Sequence, residues 1–246
     1  MLQVNEIFGP TVQGEGAAAG RHCLFLRLTN CNLRCQWCDT AYTWAFNYAL
    51  AQNLETTIIH NKEANLKEMT TQEVLDALRG FWDVEDKPTI IVISGGEPLM
   101  QGQGVTEVAR TLSMWRNEVH IETAGTIMPP QELDFYVAQY NVSPKMQNSG
   151  NELRKRFKQD VLEWFAQNPR AWFKFVVRDR YDLSEVDSIV DKVGIRTSRV
   201  MVMPEGVTPE ENMRIAREVA ESAIARGYGL SFRTHIMLWP DEVRGH

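Results

Sequence analysis

Hydrophobic and polar positions alternate between two regimes along most of the chain. Apolar runs of strand length occur at "HCLFLRLT" (22–29), "TIIVIS" (89–94), "EVHIET" (118–123), "FYVAQYNVS" (135–143), "WFKFVV" (172–177), "RVMVMP" (199–204) and "GLSFRTH" (229–235). Between them lie helix signals. Thr70 and Glu73 form a capping-box pattern ahead of Val74, Leu75 and Leu78. Val105, Val108, Ala109, Leu112 and Trp115 recur at helical spacing. Thr208, Pro209 and Glu211 read as an N-cap, a first-turn proline and a box partner, with Gly227 near the other end. This alternation predicts an α/β fold with a mostly parallel sheet and places active-site groups at strand C-terminal ends. Two segments break the pattern. Residues 45–69 are polar and weakly periodic, and 147–168 are highly charged before "VLEWF"; both read as excursions on the domain surface. With no repeat, low-complexity tract or Pro/Gly/Ser-rich linker, residues 1–246 read as a single domain.

Composition narrows the class. Hydrophobic residues at 43% against 24% charged are enough for a buried core in a globular protein. A formal charge of −6 argues against a broad nucleic-acid footprint, which needs a basic face. No apolar run approaches the ~20 residues of a bilayer span. The stretch "MLQVNEIFGP" lacks the basic-then-apolar pattern of a secretory signal. The expectation is a cytoplasmic chain that binds neither nucleic acid nor membrane, where clustered cysteines more often bind metal or do redox work than form disulfides.

Three of the four cysteines, Cys31, Cys35 and Cys38, stand as Cx3Cx2C with Trp37 just before the last. Structural zinc normally takes four closed ligands, and fully ligated iron–sulfur clusters usually take four cysteines. Cys23 lies inside an apolar run and reads as a small core residue. Three ligands without a fourth suggest a cluster with one open iron. A zinc site completed by a histidine, or three unrelated buried cysteines, remain the alternatives, although no histidine follows at finger-like spacing. Further on, "ISGGEPLM" (93–100) follows a strand run. Gly95 and Gly96 permit close backbone approach there, and Glu97 offers a carboxylate to an ammonium group. Alone, such a motif is more often a plain turn.

The cysteine spacing, with an aromatic before the last cysteine, resembles the signature of the radical S-adenosylmethionine (SAM) superfamily. The "GGE" at the end of the next strand resembles its second motif. The resemblance implies a partial (β/α) barrel and a 4Fe-4S cluster whose open iron is chelated by the amino and carboxylate groups of SAM. One electron from the reduced cluster then cleaves a carbon–sulfur bond and gives a 5′-deoxyadenosyl radical. By the same resemblance Trp37, Gly96 and Glu97 belong to the cofactor site, with Glu97 at the methionine amino group. Ser143, Pro144 and Lys145 would meet its ribose and carboxylate, whereas from sequence alone Lys145 reads equally as a solvated lysine. Glu122 and Thr123, and "MPEG" (203–206), read as turn or capping residues.

The segment "NEIFGPTVQGEG" followed by "FLRLTNCNLRCQWCDT" resembles the 7-carboxy-7-deazaguanine synthase family of the queuosine and 7-deazapurine pathway. Scattered strand-end pieces, "SGGEP", "IETAGT", "VSPK" and a terminal "TH", continue the likeness. It implies that Val12, Gln13 and Gly14 contact a pterin ring, with Glu15 assisting, and that Arg27 sits beside the substrate carboxylate. Ser94 stands where the family commonly has threonine and keeps the hydroxyl, and His235 completes the pocket. Thr40 would bind Mg²⁺ together with substrate oxygens and water, although "DT" after a loop is by itself more often a helix N-cap. The implied reaction turns 6-carboxy-5,6,7,8-tetrahydropterin into 7-carboxy-7-deazaguanine and ammonia, with SAM regenerated. A flavodoxin- or ferredoxin-like electron donor and a homodimer are the family expectations. The rivals are another radical SAM enzyme, such as a glycyl-radical activase, and a non-enzymatic zinc-binding module. Segments 45–69 and 147–168 exceed what a compact member needs. The chain runs eleven residues past His235 (246 − 235), which leaves C-terminal substrate contacts unassigned.

Overall fold

The computed structural model describes residues 1–81 and 90–240. Its described strands are β1 (Leu2–Val12), β2 (His22–Leu28), β3 (Lys67–Met69), β4 (Ile90–Gly95), β5 (Glu118–Thr123), β6 (Val137–Val142), β7 (Ala171–Val177), β8 (Val200–Pro204) and β9 (Gly229–Leu230). They form one sheet in the order β3-β1-β2-β4-β5-β6-β7-β8-β9. β1 pairs antiparallel with β2 and β3, and the remaining pairings are parallel. The fold is the mostly parallel α/β sheet of a partial barrel.

The helices are α1 (Tyr48–Ala51), α2 (Lys62–Asn65), α3 (Thr71–Arg79), α4 (Gly102–Met114), α5 (Leu153–Arg156), α6 (Gln159–Gln167), α7 (Asp182–Val193), α8 (Pro209–Ala225) and α9 (Thr234–Leu238). The caps read from sequence are present. The Thr70 hydroxyl accepts from the Glu73 amide at 3.2 Å, and the Thr70 amide donates to the Glu73 carboxylate at 2.7 Å. Thr208 accepts from the Glu211 amide at 3.2 Å with Pro209 in the first turn, and Gly227 takes a left-handed φ of 76° past the helix end.

Successive side chains of a strand point to opposite faces, and that period sorts the core. Leu24, Leu26, Ile91, Ile93, Phe173 and Phe175 pack outward against α4, α7 and α8 in one large buried cluster. Each such side chain stabilises the fold by roughly 1.5–3 kcal/mol on burial. Cys23, Phe25, Ile90 and Val92 point the other way and plug the barrel interior as a separate apolar cluster. Cys23 is thus a core residue, and burial pushes its thiol up to about 12.

The gap between the first and last strands is closed by the chain that follows β1. The Gly16 amide donates to Ser231 Oγ at 2.8 Å, and the Thr234 amide donates to the Gly14 carbonyl at 2.9 Å.

Several elements differ from the sequence expectation. β1 carries no clean alternation because Gly9 and Pro10 interrupt it and the ladder shifts register between Phe8 and Thr11. The run "GLSFRTH" is a strand only at Gly229–Leu230. Beyond it the chain turns inward, and His235 lies in the short helix α9. Part of 147–168 belongs to the core, since α6 buries Val161, Leu162 and Phe165 in the main cluster. Segment 45–69 holds α1, α2 and the edge strand β3. Thr89, the first residue of "TIIVIS", and the tail 241–246 lie outside the described residues.

Candidate active site

At the end of β2 the chain reverses at Asn30, whose left-handed φ of 69° an asparagine tolerates and whose amide group donates to Gln3. The cysteine loop starts from that turn. Gly95 and Gly96 press against it: an added Cβ would stand 2.1 Å from the Leu28 carbonyl oxygen at Gly95 and 2.0 Å from the Asn30 carbonyl oxygen at Gly96. The two glycines therefore seat the cysteine loop on β4. The Gly96 and Glu97 amides donate to the Leu28 and Asn30 carbonyls at 3.2 and 2.9 Å.

Cys31, Cys35 and Cys38 line one pocket. Each sulfur has an N–H donor: the Leu33 amide on Cys31 at 3.4 Å, Asn151 Nδ2 on Cys35 at 3.3 Å, and Trp44 Nε1 on Cys38 at 3.3 Å. Burial pushes the thiols of Cys31 and Cys35 up to about 12, and raises Cys38 as well. Buried thiols aimed into one pocket, each already offered a donor that favours thiolate, suit a cation that would offset the cost of ionising them. Among the described residues no three His, Cys, Asp or Glu side chains converge as on a single metal ion. Three thiols in one pocket are a donor set suited to an iron–sulfur cluster with one iron left open.

Sequence reasoning missed what braces this loop. The Gln36 amide donates to the Ser149 carbonyl at 3.0 Å, the Arg34 amide to Asn151 Oδ1 at 2.8 Å, and Trp37 Nε1 to the Asn148 carbonyl at 2.8 Å. Residues 148–151 belong to a segment read as a surface excursion; here they hold the cysteine loop. Only the polarity of "QNSGN" hinted at this, and polarity alone does not separate a brace from a loop.

The residues expected at the cofactor divide. Trp37, Gly96, Ser143 and Lys145 line the pocket with the cysteines. Lys145 Nζ donates to the Ser143 carbonyl and Oγ at 2.8 and 2.9 Å, and stands 6.0 Å from the Trp37 ring centre. Pro144 is not among the lining residues. Glu97 is likewise not among the lining residues. Its carboxylate is fully buried and accepts from the Leu99 amide at 3.1 Å, the Ala124 amide at 2.8 Å and Thr123 Oγ at 2.9 Å. Burial raises its pKa against those donors. Glu97 ties the end of β4 to the end of β5, and the pocket wall at this point is the backbone of Gly95 and Gly96.

The opposite wall gathers Val12, Gln13, Gly14, Glu15, Arg27, Ser94 and His235 in the same pocket. An added Cβ at Gly14 would fall 2.1 Å from His235 Nδ1, so a glycine is required for the imidazole to lie against this backbone. Arg27 sits 5.4 and 5.9 Å from the ring centres of Phe8 and Phe25, and its Nε donates to Glu6 at 2.7 Å. No hydrogen bond from the described residues occupies its two terminal nitrogens, which leaves that side of the fork for a ligand. Burial lowers the His235 pKa more than the nearby Glu15 carboxylate raises it.

Further charged residues complete this wall. Glu122 lies between Gln13 Nε2 at 3.0 Å and Ser94 Oγ at 2.7 Å, both donating to its carboxylate. It faces the pocket, where sequence favoured a turn role. Glu205 of "MPEG" also lines it. Lys174 and Arg233 both pair with Glu15. Burial alone would raise the Glu15 pKa, but the Lys174 ammonium and the Arg233 guanidinium hold it well below the usual carboxylate range.

Thr40 lines the pocket beside Cys38, its hydroxyl 3.7 Å from the sulfur. It occupies the N-cap position of the 3-10 turn Ala41–Thr43 but makes no side-chain capping bond, so the capping role does not use its hydroxyl.

Comparison with known proteins agrees with this arrangement. A family model described as the Radical SAM superfamily matches residues 26–219. A 7-carboxy-7-deazaguanine synthase from Pyrobaculum aerophilum is 35% identical, over 97% of this chain and 95% of that protein. One from Hyperthermus butylicus is 30% identical, over 97% of this chain and 93% of its own length. The crystal structure of QueE from Escherichia coli superposes with a TM-score of 0.67 at 25% identity, covering 95% and 94% of the two chains.

Proposed function

Because this chain belongs to the radical SAM superfamily, and within it to the 7-carboxy-7-deazaguanine synthase family, we propose that it converts 6-carboxy-5,6,7,8-tetrahydropterin to 7-carboxy-7-deazaguanine and ammonia in the pocket described above. The observation that carries this reading is the meeting of two walls in one cavity: the three-cysteine loop on one side, Gln13, Arg27 and His235 on the other.

Cys31, Cys35 and Cys38 hold the 4Fe-4S cluster, and Trp37, the Gly95–Gly96 backbone, Ser143 and Lys145 hold SAM. When bound, these two groups supply one-electron radical chemistry that no side chain can provide. The chain's own task is positioning and exclusion of water. Arg27 presents its terminal nitrogens to the substrate carboxylate, a planar match for a guanidinium. Val12, Gln13 and Gly14 lie along the pterin ring, where backbone groups and an amide can copy base-pairing contacts. Glu122, held by Gln13 and Ser94, gives that side an acceptor for the ring's N–H groups. His235 stays neutral near pH 7, its pKa lowered by burial, and can accept as well as donate.

Mg²⁺ fits only in part. Thr40 offers a hydroxyl at the pocket edge beside the Cys38 sulfur, and the remaining hard ligands would have to be substrate oxygens and water. We assign the ion to Thr40 on those terms, with the substrate carboxylate as its partner. The same reading expects a cytoplasmic homodimer that draws electrons from a flavodoxin- or ferredoxin-like protein.

The test is anaerobic incubation of reduced, cluster-reconstituted protein with SAM, Mg²⁺ and 6-carboxytetrahydropterin. The expected result is 7-carboxy-7-deazaguanine. Steady 5′-deoxyadenosine without that product would point to another radical SAM enzyme and overturn the substrate assignment.

A further inference from the structure

Arg233 belongs to no motif, yet its guanidinium is buried and spread over three elements. Nε donates to Glu15 Oε1 at 3.0 Å, Nη1 donates to the Gly206 carbonyl at 2.8 Å, and Nη2 donates to Asp39 Oδ2. A guanidinium is a rigid planar fork, so three acceptors held by one fork are fixed relative to one another. Their places in the chain give the arrangement its meaning. Asp39 stands between Cys38 and Thr40 on the cysteine loop. Glu15 ends the barrel-closing segment that carries Gln13, and its second carboxylate oxygen is held by Lys174 of β7. Gly206 follows β8. Arg233 itself lies two residues before His235.

We propose that Arg233 is a positioning residue that locks the cofactor wall to the substrate wall, through Asp39 on one side and Glu15 on the other. It rests on the reaction assigned above, and gives that reaction a mechanical requirement. A reaction in which SAM is regenerated needs the substrate carbon held at one fixed place relative to the cofactor. An offset of about an ångström can cost on the order of 100-fold in rate. Nothing else among the described residues joins Asp39 to the opposite wall by an ion pair. Without the lock, SAM cleavage would continue while conversion of the substrate falls behind.

The experiment compares the parent with Arg233→Met and Asp39→Asn, all as cluster-loaded protein. Asp39 is 43% exposed at its side chain, so its change cuts one arm of the lock without emptying a buried site. Both variants should keep the parent's iron and sulfide content. Both should release about 10-fold or more 5′-deoxyadenosine per deazaguanine formed, with Arg233→Met also losing on the order of 100-fold in product rate. Amide hydrogen exchange should accelerate in peptides covering 38–43 in both variants, and in those covering 13–16 in Arg233→Met. An unchanged deoxyadenosine-to-product ratio, or unchanged exchange at 38–43, overturns the lock. If the assigned reaction is wrong, the parent itself makes no deazaguanine, and the exchange comparison still reads the lock on its own.

Discussion

The two walls of the pocket are built by different means. The cysteine-bearing part of the cofactor wall is local: Cys31, Cys35, Cys38, Trp37 and Trp44 come from a stretch of fourteen residues (31–44), seated on two adjacent glycines. Its demands are steric and coordinative, so they restrict residue type at fixed spacing. The substrate wall is assembled from distant parts: Gln13 and Glu15 after β1, Arg27 on β2, Glu122 on β5, Lys174 on β7, Arg233 and His235 at the far end. Its demands are electrostatic, and paired charges can be supplied from any strand whose inner face points the right way. On the proposed reading, a compact motif marks where the radical is made, while a dispersed charge network decides what is converted.

The largest effect separates the walls outright. Cys35→Ala should abolish SAM cleavage and empty the site of iron, because two thiols cannot hold the cluster in place. Normal cleavage in that variant, measured as 5′-deoxyadenosine in the absence of substrate, would break the distinction at its root. On the other wall, Arg27→Ala should keep the cluster and slow uncoupled cleavage while product formation falls roughly 10- to 150-fold, the equivalent of the ~1.5–3 kcal/mol in a hydrogen bond to a charged group. Equal loss of iron content would make Arg27 structural instead.

Glu97 sharpens the comparison, because it stands in a cofactor motif yet its carboxylate serves the fold. Glu97→Gln replaces one acceptor oxygen with a donor and leaves a buried N–H or hydroxyl without its partner, at about 1–3 kcal/mol. For a chain of this size that lowers Tm by roughly 2–12 °C, with the KM for SAM little changed. A raised KM at unaltered Tm would return the side chain to the methionine ammonium.

The smallest effect concerns His120, buried below the substrate wall on the same strand face as Glu118 and Glu122, with Arg21 paired to Glu118. Burial holds its pKa below the ordinary 6.5 against the pull of Glu118. The unfolded chain then takes up a proton that the folded chain refuses. Stability is full above pH 6.5 and is lost as pH falls from there through the lower folded value. His120→Gln should shrink the stability difference between pH 6.5 and 5.5 by up to about 1 kcal/mol in denaturant titrations. An unchanged difference would mean that His120 does not contribute to the acid sensitivity.

This contrast also explains what the sequence alone could reveal. β4 was legible because a parallel strand buried on both faces reads as a continuous apolar run, as "IIVIS" does, and β5 because Val119 and Ile121 alternate with polar residues. β1 was not, because the Gly9–Pro10 interruption hides its alternation. The triad of cysteines was legible as chemistry, and Gln13, Arg27 and His235 only through a family likeness. Glu122 was noticed at a strand end but read as a turn residue, and Arg233 was not noticed, since a strand glutamate or a terminal arginine has many ordinary explanations until its partners are in view. The partners of Glu97 were hidden for a related reason: a motif specifies a residue, while its contacts with Thr123, Ala124 and Leu99 appear only in the folded chain.

The measurement closest to the central claim is electron paramagnetic resonance of the reduced, reconstituted protein during titration with SAM. Three cysteines that leave one iron open predict about four irons per chain and a cluster signal that shifts as SAM binds. A signal indifferent to SAM, or a colourless chain carrying a single zinc, would contradict it.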